Sequence, residues 1–280
     1  MDTWSTDVTD ASSNDARFEF GANWQAFLNY LDEDRIIEAE ESLVSNLETS
    51  TLKGLRFLDI GSGSGLFSLV ARRLEAGVHS FDYDKNSVEC TKYLRHKFFP
   101  DDSKWLVEQE SVLNQDYMDS LGEFDVVYSW GVLHHTGEMW KAIENASQRV
   151  KKNGCFYIAI YNDEAGASRR WKKVKLLYNK SGKLVRAMLI AYTFLKVWTI
   201  TMIKDLIHHK SLLKSWSSYN EHRGMSPWHD IIDWVGGYPF EVAKPDEIFN
   251  FLKERGFRLE KLKTCIGPGC NEYVFKKVKS

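Results

Sequence analysis

The spacing of hydrophobic residues along the chain changes several times, and each change marks an element. Between residues 24 and 47, Phe27, Tyr30 and Leu31, then Ile36, Ile37, Leu43 and Leu47, follow a helical period and predict one or two helices. The period then collapses into the short apolar run Leu55-Arg56-Phe57-Leu58-Asp59-Ile60, closed by Gly61-Ser62-Gly63-Ser64-Gly65. Such a run predicts a buried strand ending in a tight turn. Leu66, Leu69, Val70 and Leu74 resume the helical period behind it. The alternation repeats, with strands predicted over residues 78–82, 105–109, 124–129 and 155–160. Helices are predicted over 85–97 and 138–150. Pro100 and its acidic neighbours end the first of these helices, and a Lys-Asn-Gly turn follows the second.

Strands separated by helices need crossover connections, which favours a doubly wound α/β sheet over a sandwich. The stretch 161–244 is too long for a connection and is predicted to be an inserted helical cap over the substrate. Pro245 then starts a helix containing Phe249 and Leu252, and strands over 257–264 and 272–277 flank a Gly267-Pro268-Gly269 turn. The predicted fold is therefore a mostly parallel, seven-stranded sheet with a C-terminal antiparallel hairpin. Its expected parts are a polar tail (1–16), a helical N-terminal cap (17–54), a binding core (55–160), the inserted cap (161–244) and a closing helix and hairpin (245–280).

Composition narrows the function classes. Thirty-seven basic and 39 acidic residues give a net charge of -2, unlike a protein built to wrap nucleic acid. Four cysteines are too few for a disulfide scaffold, and Cys265 and Cys270 lack companion ligands at metal-site spacing, so no metal is expected. Residues 1–16 have neither the basic start nor the apolar centre of a secretory signal, so a cytoplasmic location is expected. The apolar stretch beyond Lys183 is interrupted by Arg186, Lys196, Lys204 and Asp205. It reads first as a substrate-covering or partner helix, then as a helix lying on a membrane surface, and last as a spanning segment. Monomer and homodimer both stay open.

In doubly wound sheets, ligands sit beyond the C-terminal strand ends, where Asp59, Asp82, Ser111 and Trp130 converge. Glycines 61, 63 and 65 allow a sharp turn with room for a ligand against backbone donors. Alone, this pattern also suits nicotinamide binding, and Asp82 can equally cap the next helix. The order of segments discriminates. Leu58-Asp59-Ile60-Gly61-Ser62-Gly63-Ser64-Gly65 and the fourth-strand segment from Phe124 to His135 resemble class I S-adenosylmethionine-dependent methyltransferases. Their pattern is similar to that of the broad group containing benzoquinol and natural-product methylases. The resemblance implies S-adenosylmethionine as cofactor, with Asp59, Gly61, Ser62, Gly63 and Gly65 around its amino-acid end. It further implies Asp82 on the ribose, Tyr83, Ser111 and Val112 around the adenine, and Trp130 beside cofactor and acceptor. One departure is Glu110-Ser111 where many relatives place an aspartate.

A methyl group already activated on a sulfonium needs no protein nucleophile and no metal; the protein must align the acceptor and receive its proton. His229, His134 and His135 are the candidate bases, with Asp230 and Asp233 near the first of them. Arg169, Trp171, Arg223, Trp228, Trp234, Tyr238 and Glu241 are the candidate acceptor contacts, offering aromatic faces with directed polar groups. O-methylation of a small hydroxylated metabolite, a phenol or a sugar, leads the readings. Small-molecule N-methylation, lipid-quinol methylation and a noncatalytic cofactor-binding scaffold are the alternatives. Nucleic acid is disfavoured, since Tyr128-Ser129-Trp130-Gly131 does not resemble the Asn/Asp-Pro-Pro-aromatic segment of base methylases.

Overall fold

The computed structural model describes residues 18, 20–28, 31–209, 227–265, 267 and 269–279. Its centre is β1 (Arg56–Ile60), which pairs in parallel with β2 (Gly77–Asp82) on one side and β4 (Phe124–Trp130) on the other. β3 (Trp105–Gln109) continues beyond β2, and β5 (Val150–Tyr161) beyond β4, both parallel. β7 (Cys270–Lys277) runs antiparallel between β5 and β6 (Phe257–Lys263), giving the order β3-β2-β1-β4-β5-β7-β6. This is the predicted seven-stranded, mostly parallel sheet. The chain reverses its direction of winding between β1 and β4, so a crevice opens at their C-terminal ends.

Helices cover both faces. On one, α5 (Gln115–Ser120), α6 (Met139–Gln148) and α10 (Pro245–Glu254) bury Met118, Ile143 and Leu252 against Leu58, Val127 and Phe156. On the other, α2 (Glu33–Leu47), α3 (Leu66–Arg73) and α4 (Lys85–Phe98) bury Leu43, Leu69 and Leu94 against Phe57 and Trp105. Full burial of side chains such as Phe57 and Phe156 contributes roughly 2–3 kcal/mol each. Helix starts follow local chemistry: Asp32 accepts the Arg35 amide, Asp84 those of Asn86 and Ser87, and Asn114 that of Tyr117. The cap of α4 is thus Asp84, not Asp82. The predicted Lys-Asn-Gly turn lies inside β5, where the register with β4 shifts.

Beyond β5, α7 (Gly166–Lys180), α8 (Lys183–His209) and α9 (Pro227–Gly236) pack together around Tyr178, Trp198, Ile231 and Val235. α8 continues through the charges that break its apolar run in the sequence. By length and composition it is long and apolar enough to cross a membrane. α1 (Gly21–Leu28) leans on α4, where the Gly21 amide donates to Asp84.

Candidate active site

The glycine turn is shaped by backbone demands before any ligand is considered. Gly61, Gly63 and Gly65 have φ of 75°, 54° and 84°, a region that side chains rarely adopt. A Cβ on Gly61 would collide with the Val132 side chain, and one on Gly65 would lie 2.8 Å from the Thr91 Cα. The Gly61 amide donates to the Phe81 carbonyl at 2.8 Å, and the Gly63 amide to the Asp82 carboxylate at 2.9 Å. The turn is therefore fastened to the end of β2, which places Asp59 and Asp82 on one crevice.

Both carboxyls are deprived of water. Burial, opposed by the Ser68 hydroxyl and reinforced by the charge of Asp82, pushes the Asp59 carboxyl up to about 7. Burial likewise raises Asp82 to about 6, against the lowering effect of the Gly63 and Asp84 amides. A directed chain of donors ends on Asp59. The Trp105 indole can only donate, to Ser80 Oγ at 2.9 Å; Ser80 then donates to Ser68 at 2.6 Å, and Ser68 to Asp59. The Gly61, Ser62, Gly63 and Gly65 amides are already paired within the protein, so the two desolvated carboxyls are the polar groups left to meet a ligand, and they suit the ammonium and hydroxyls that S-adenosylmethionine carries. The residues present fit that cofactor.

A cavity of about 1800 Å³ joins this turn to the inserted helices. That exceeds the usual range for a single small ligand and leaves room for cofactor and acceptor together. Of the residues that the resemblance assigns to the cofactor, Asp59, Gly61, Ser62, Gly63, Asp82, Tyr83, Ser111, Val112 and Trp130 line it. Gly65 does not; its backbone closes against α4 and opens α3. Glu110 lines the cavity beside Ser111, so a carboxylate stands in this region one position before the serine. The Ser111 hydroxyl accepts the Leu113 amide at 3.1 Å and shapes the loop.

The histidine pair divides cleanly. His134 is fully buried and off the cavity. Its Nδ1 accepts the Tyr161 amide at 3.3 Å, and Nε2 has no hydrogen-bond partner among the described residues. Burial, then the neighbouring His135 and Lys175, hold it well below the ordinary histidine range, so it stays neutral. That corrects the expectation of a base at His134. His135 lines the cavity, its ring 4.9 Å from Phe20 and 5.4 Å from Tyr161. Its Nδ1 lies 2.6 Å from the Pro239 carbonyl oxygen. A carbonyl only accepts, so Nδ1 carries a proton, and in the neutral form of the ring the lone pair is on Nε2.

Among acceptor contacts, Trp171 and Trp234 line the cavity edge to face, 5.3 Å apart at 74°. Arg169 is exposed and off the cavity, while its neighbour Arg170 lines it. Glu241 accepts the Met139 amide at 3.0 Å, so it caps α6 instead of meeting a substrate, and Tyr238 also lies off the cavity. Arg223 lies outside the described residues. Trp228, His229, Asp230 and Asp233 sit on α9, with side chains outside the described residues. No group of metal ligands occurs among the described residues.

Sequence reasoning missed several lining residues. Trp24 stacks its indole under Gly63, where a Cβ would lie 3.0 Å from the ring, and Phe20 abuts His135. Tyr161, at the end of β5, and Lys196, on α8, complete the aromatic and cationic wall. Lys175 is fully buried; its ammonium donates to the Trp234 carbonyl and lies 4.4 Å from the Trp234 ring. A lysine among apolar positions of a helix gives no sequence signal for such burial.

A family model described as a methyltransferase domain matches residues 31–226. A ubiquinone biosynthesis O-methyltransferase of Pelagibacter ubique is 28% identical over 132 residues, 46% of this chain and 52% of that one. Its namesake in Brucella melitensis biotype 2 is 30% identical over 111 residues, 40% and 43% of the two chains. The chain spans about half the length of these curated relatives. Among solved structures, magnesium protoporphyrin IX methyltransferase of Synechocystis PCC 6803 with bound S-adenosylmethionine aligns over 96% of this chain and 100% of its own. Its TM-score is 0.55 and its identity 12%. PKMT2 of Rickettsia typhi, in complex with the demethylated cofactor, aligns over 82% and 50% with a TM-score of 0.54 and 13% identity. At these identities the structures share a fold, and the family match covers β1 to β5 and runs on to residue 226. The chain belongs to the class I S-adenosylmethionine-dependent methyltransferase family.

Proposed function

We propose that the protein transfers a methyl group from S-adenosylmethionine to the hydroxyl oxygen of a small planar acceptor, with His135 as the general base. The cofactor supplies a methyl carbon on a positively charged sulfur, ready for displacement. The chain's task is to hold the acceptor behind that carbon and receive a proton. The observation that supports the reading is that His135 lines the cavity shared with the glycine turn while its Nδ1 donates to the Pro239 carbonyl, so that a neutral ring would offer Nε2 as the base. Nε2 would then take the proton released by the acceptor hydroxyl. Trp130, Trp171 and Trp234 offer faces for a ring, and the named activity of the ubiquinone-pathway relatives favours a phenolic oxygen over a sugar hydroxyl.

The test is transfer of labelled methyl from S-adenosylmethionine to a panel of catechols, simple sugars and amines. Label on a ring oxygen is the expected product. Label found on nitrogen alone, or cofactor binding with no transfer to any hydroxylated ring, overturns the reading.

A further inference from the structure

The outer surface of the inserted cap is unlike the rest of the molecule. From residue 165 to 204 the chain carries ten of its 37 basic residues and none of its 39 acidic ones. Arg169, Lys172, Lys173 and Lys180 of α7 are exposed. On α8, Leu184, Met188, Leu195 and Leu206 recur on one side of the helix, with 77%, 63%, 64% and 54% of their surfaces in water. The opposite side, with Trp198, is buried against α7 and α9. A helix apolar all round is normally enclosed, whereas this one is covered on a single side. That covered side also rules against a span, because a crossing helix with α7 and α9 packed on it would drag their charged residues into lipid.

We infer that the exposed face of α8, flanked by the basic residues of α7, docks on an anionic lipid bilayer with the helix lying in the plane of the surface. Charge selects this occupant: a second copy of the chain would bring the same cationic face against itself, whereas anionic headgroups neutralise it while the apolar stripe enters the acyl boundary. Tyr192 belongs to this exposed side and also lines the cavity. Resting on the proposed methyl transfer, the acceptor would then be amphiphilic and enter from the bilayer, its ring reaching His135 while its apolar part stays with the lipid.

The test is flotation of the full chain with vesicles of phosphatidylcholine alone and of phosphatidylcholine mixed with phosphatidylglycerol. Binding to the anionic vesicles is expected, weakened at least about tenfold by ~0.5 M salt. Combined Met188→Glu, Leu195→Glu and Leu206→Glu, or Lys172→Glu, Lys173→Glu and Lys180→Glu, should abolish it. Undiminished S-adenosylmethionine binding by these variants shows that they are folded. Equal recovery with and without anionic lipid overturns the proposal, as does vesicle binding unaltered in both variants. A wild-type dimer in sedimentation that the apolar variant dissociates, with no vesicle binding, assigns the face to a second copy and equally overturns it. Loss of cofactor binding or transfer in the wild-type protein would strike the proposed function instead, and the vesicle result stands apart from it.

Discussion

The imidazole of His135 and the carbonyl of Pro239 meet although they are 104 positions apart in the sequence. The chain that returns from the inserted cap therefore sets the tautomer of a ring held at the end of β4. Replacing His135 by Ala should lower kcat/KM by about 10²–10⁴-fold, the usual contribution of a positioned general base. Cofactor affinity, measured by calorimetry, should change less than about twofold. His229→Ala is the comparison, and a larger loss there than at His135 would move the base to α9.

The two desolvated carboxyls make the site pH-dependent in a definite direction. Asp59 near 7 and Asp82 near 6 lie above the ordinary value of 3.8, so the folded chain holds protons that the unfolded chain has released. Their contribution to stability is present below about pH 4 and is lost as pH rises through the folded values, of order 4 kcal/mol for Asp59. A ligand ammonium favours the ionised forms. Cofactor binding should release protons and strengthen between roughly pH 5.5 and 7.5, as calorimetry in buffers of different ionisation enthalpy would show. Ser68→Ala removes the donor that lowers Asp59, so the midpoint of that profile should move upward.

Glycine positions of similar backbone should respond differently. Gly65 and Gly131 have φ of 84° and 76°. A Cβ at Gly65 meets Thr91 backbone, while one at Gly131 meets nothing within 4 Å. Gly65→Ala should cost about 2–4 kcal/mol and Gly131→Ala about 1 kcal/mol, read from denaturant unfolding.

The core was legible because each short apolar run ends at a turn residue whose conformation has few solutions. Leu58 to Gly65 announces strand, turn and helix together, and Asp82 is located by the next run. Choices between neighbours were not legible. Adjacent residues on a helix point about 100° apart, and the sequence holds nothing to tell Arg170 from Arg169. His134 and His135 share a 3₁₀ turn, where one ring faces Tyr161 in the interior and the other faces the cavity. Glu241 looked like a substrate contact because nothing local reveals that the amide of Met139, 102 residues earlier, takes its carboxylate. The short α5 carries too few apolar positions to show a period.

Lys175 ties α7 to α9 and should matter to the cap more than to the core. Lys175→Met keeps the bulk but leaves the Trp234 carbonyl without this donor, for an expected loss of about 1–3 kcal/mol. Hydrogen exchange should quicken in α7 and α9 while β1 and β4 keep their protection.

β7 lies inside the sheet although it follows β6 and the inserted helices in the chain. Until it arrives, β5 presents an unsatisfied edge and β6 has no neighbour to join. A nascent chain must therefore carry α7, α8 and α9 before its sheet can close. Pairing of β7 is the step that removes the open edge of β5, and it comes only after the exposed apolar face of α8 is already present.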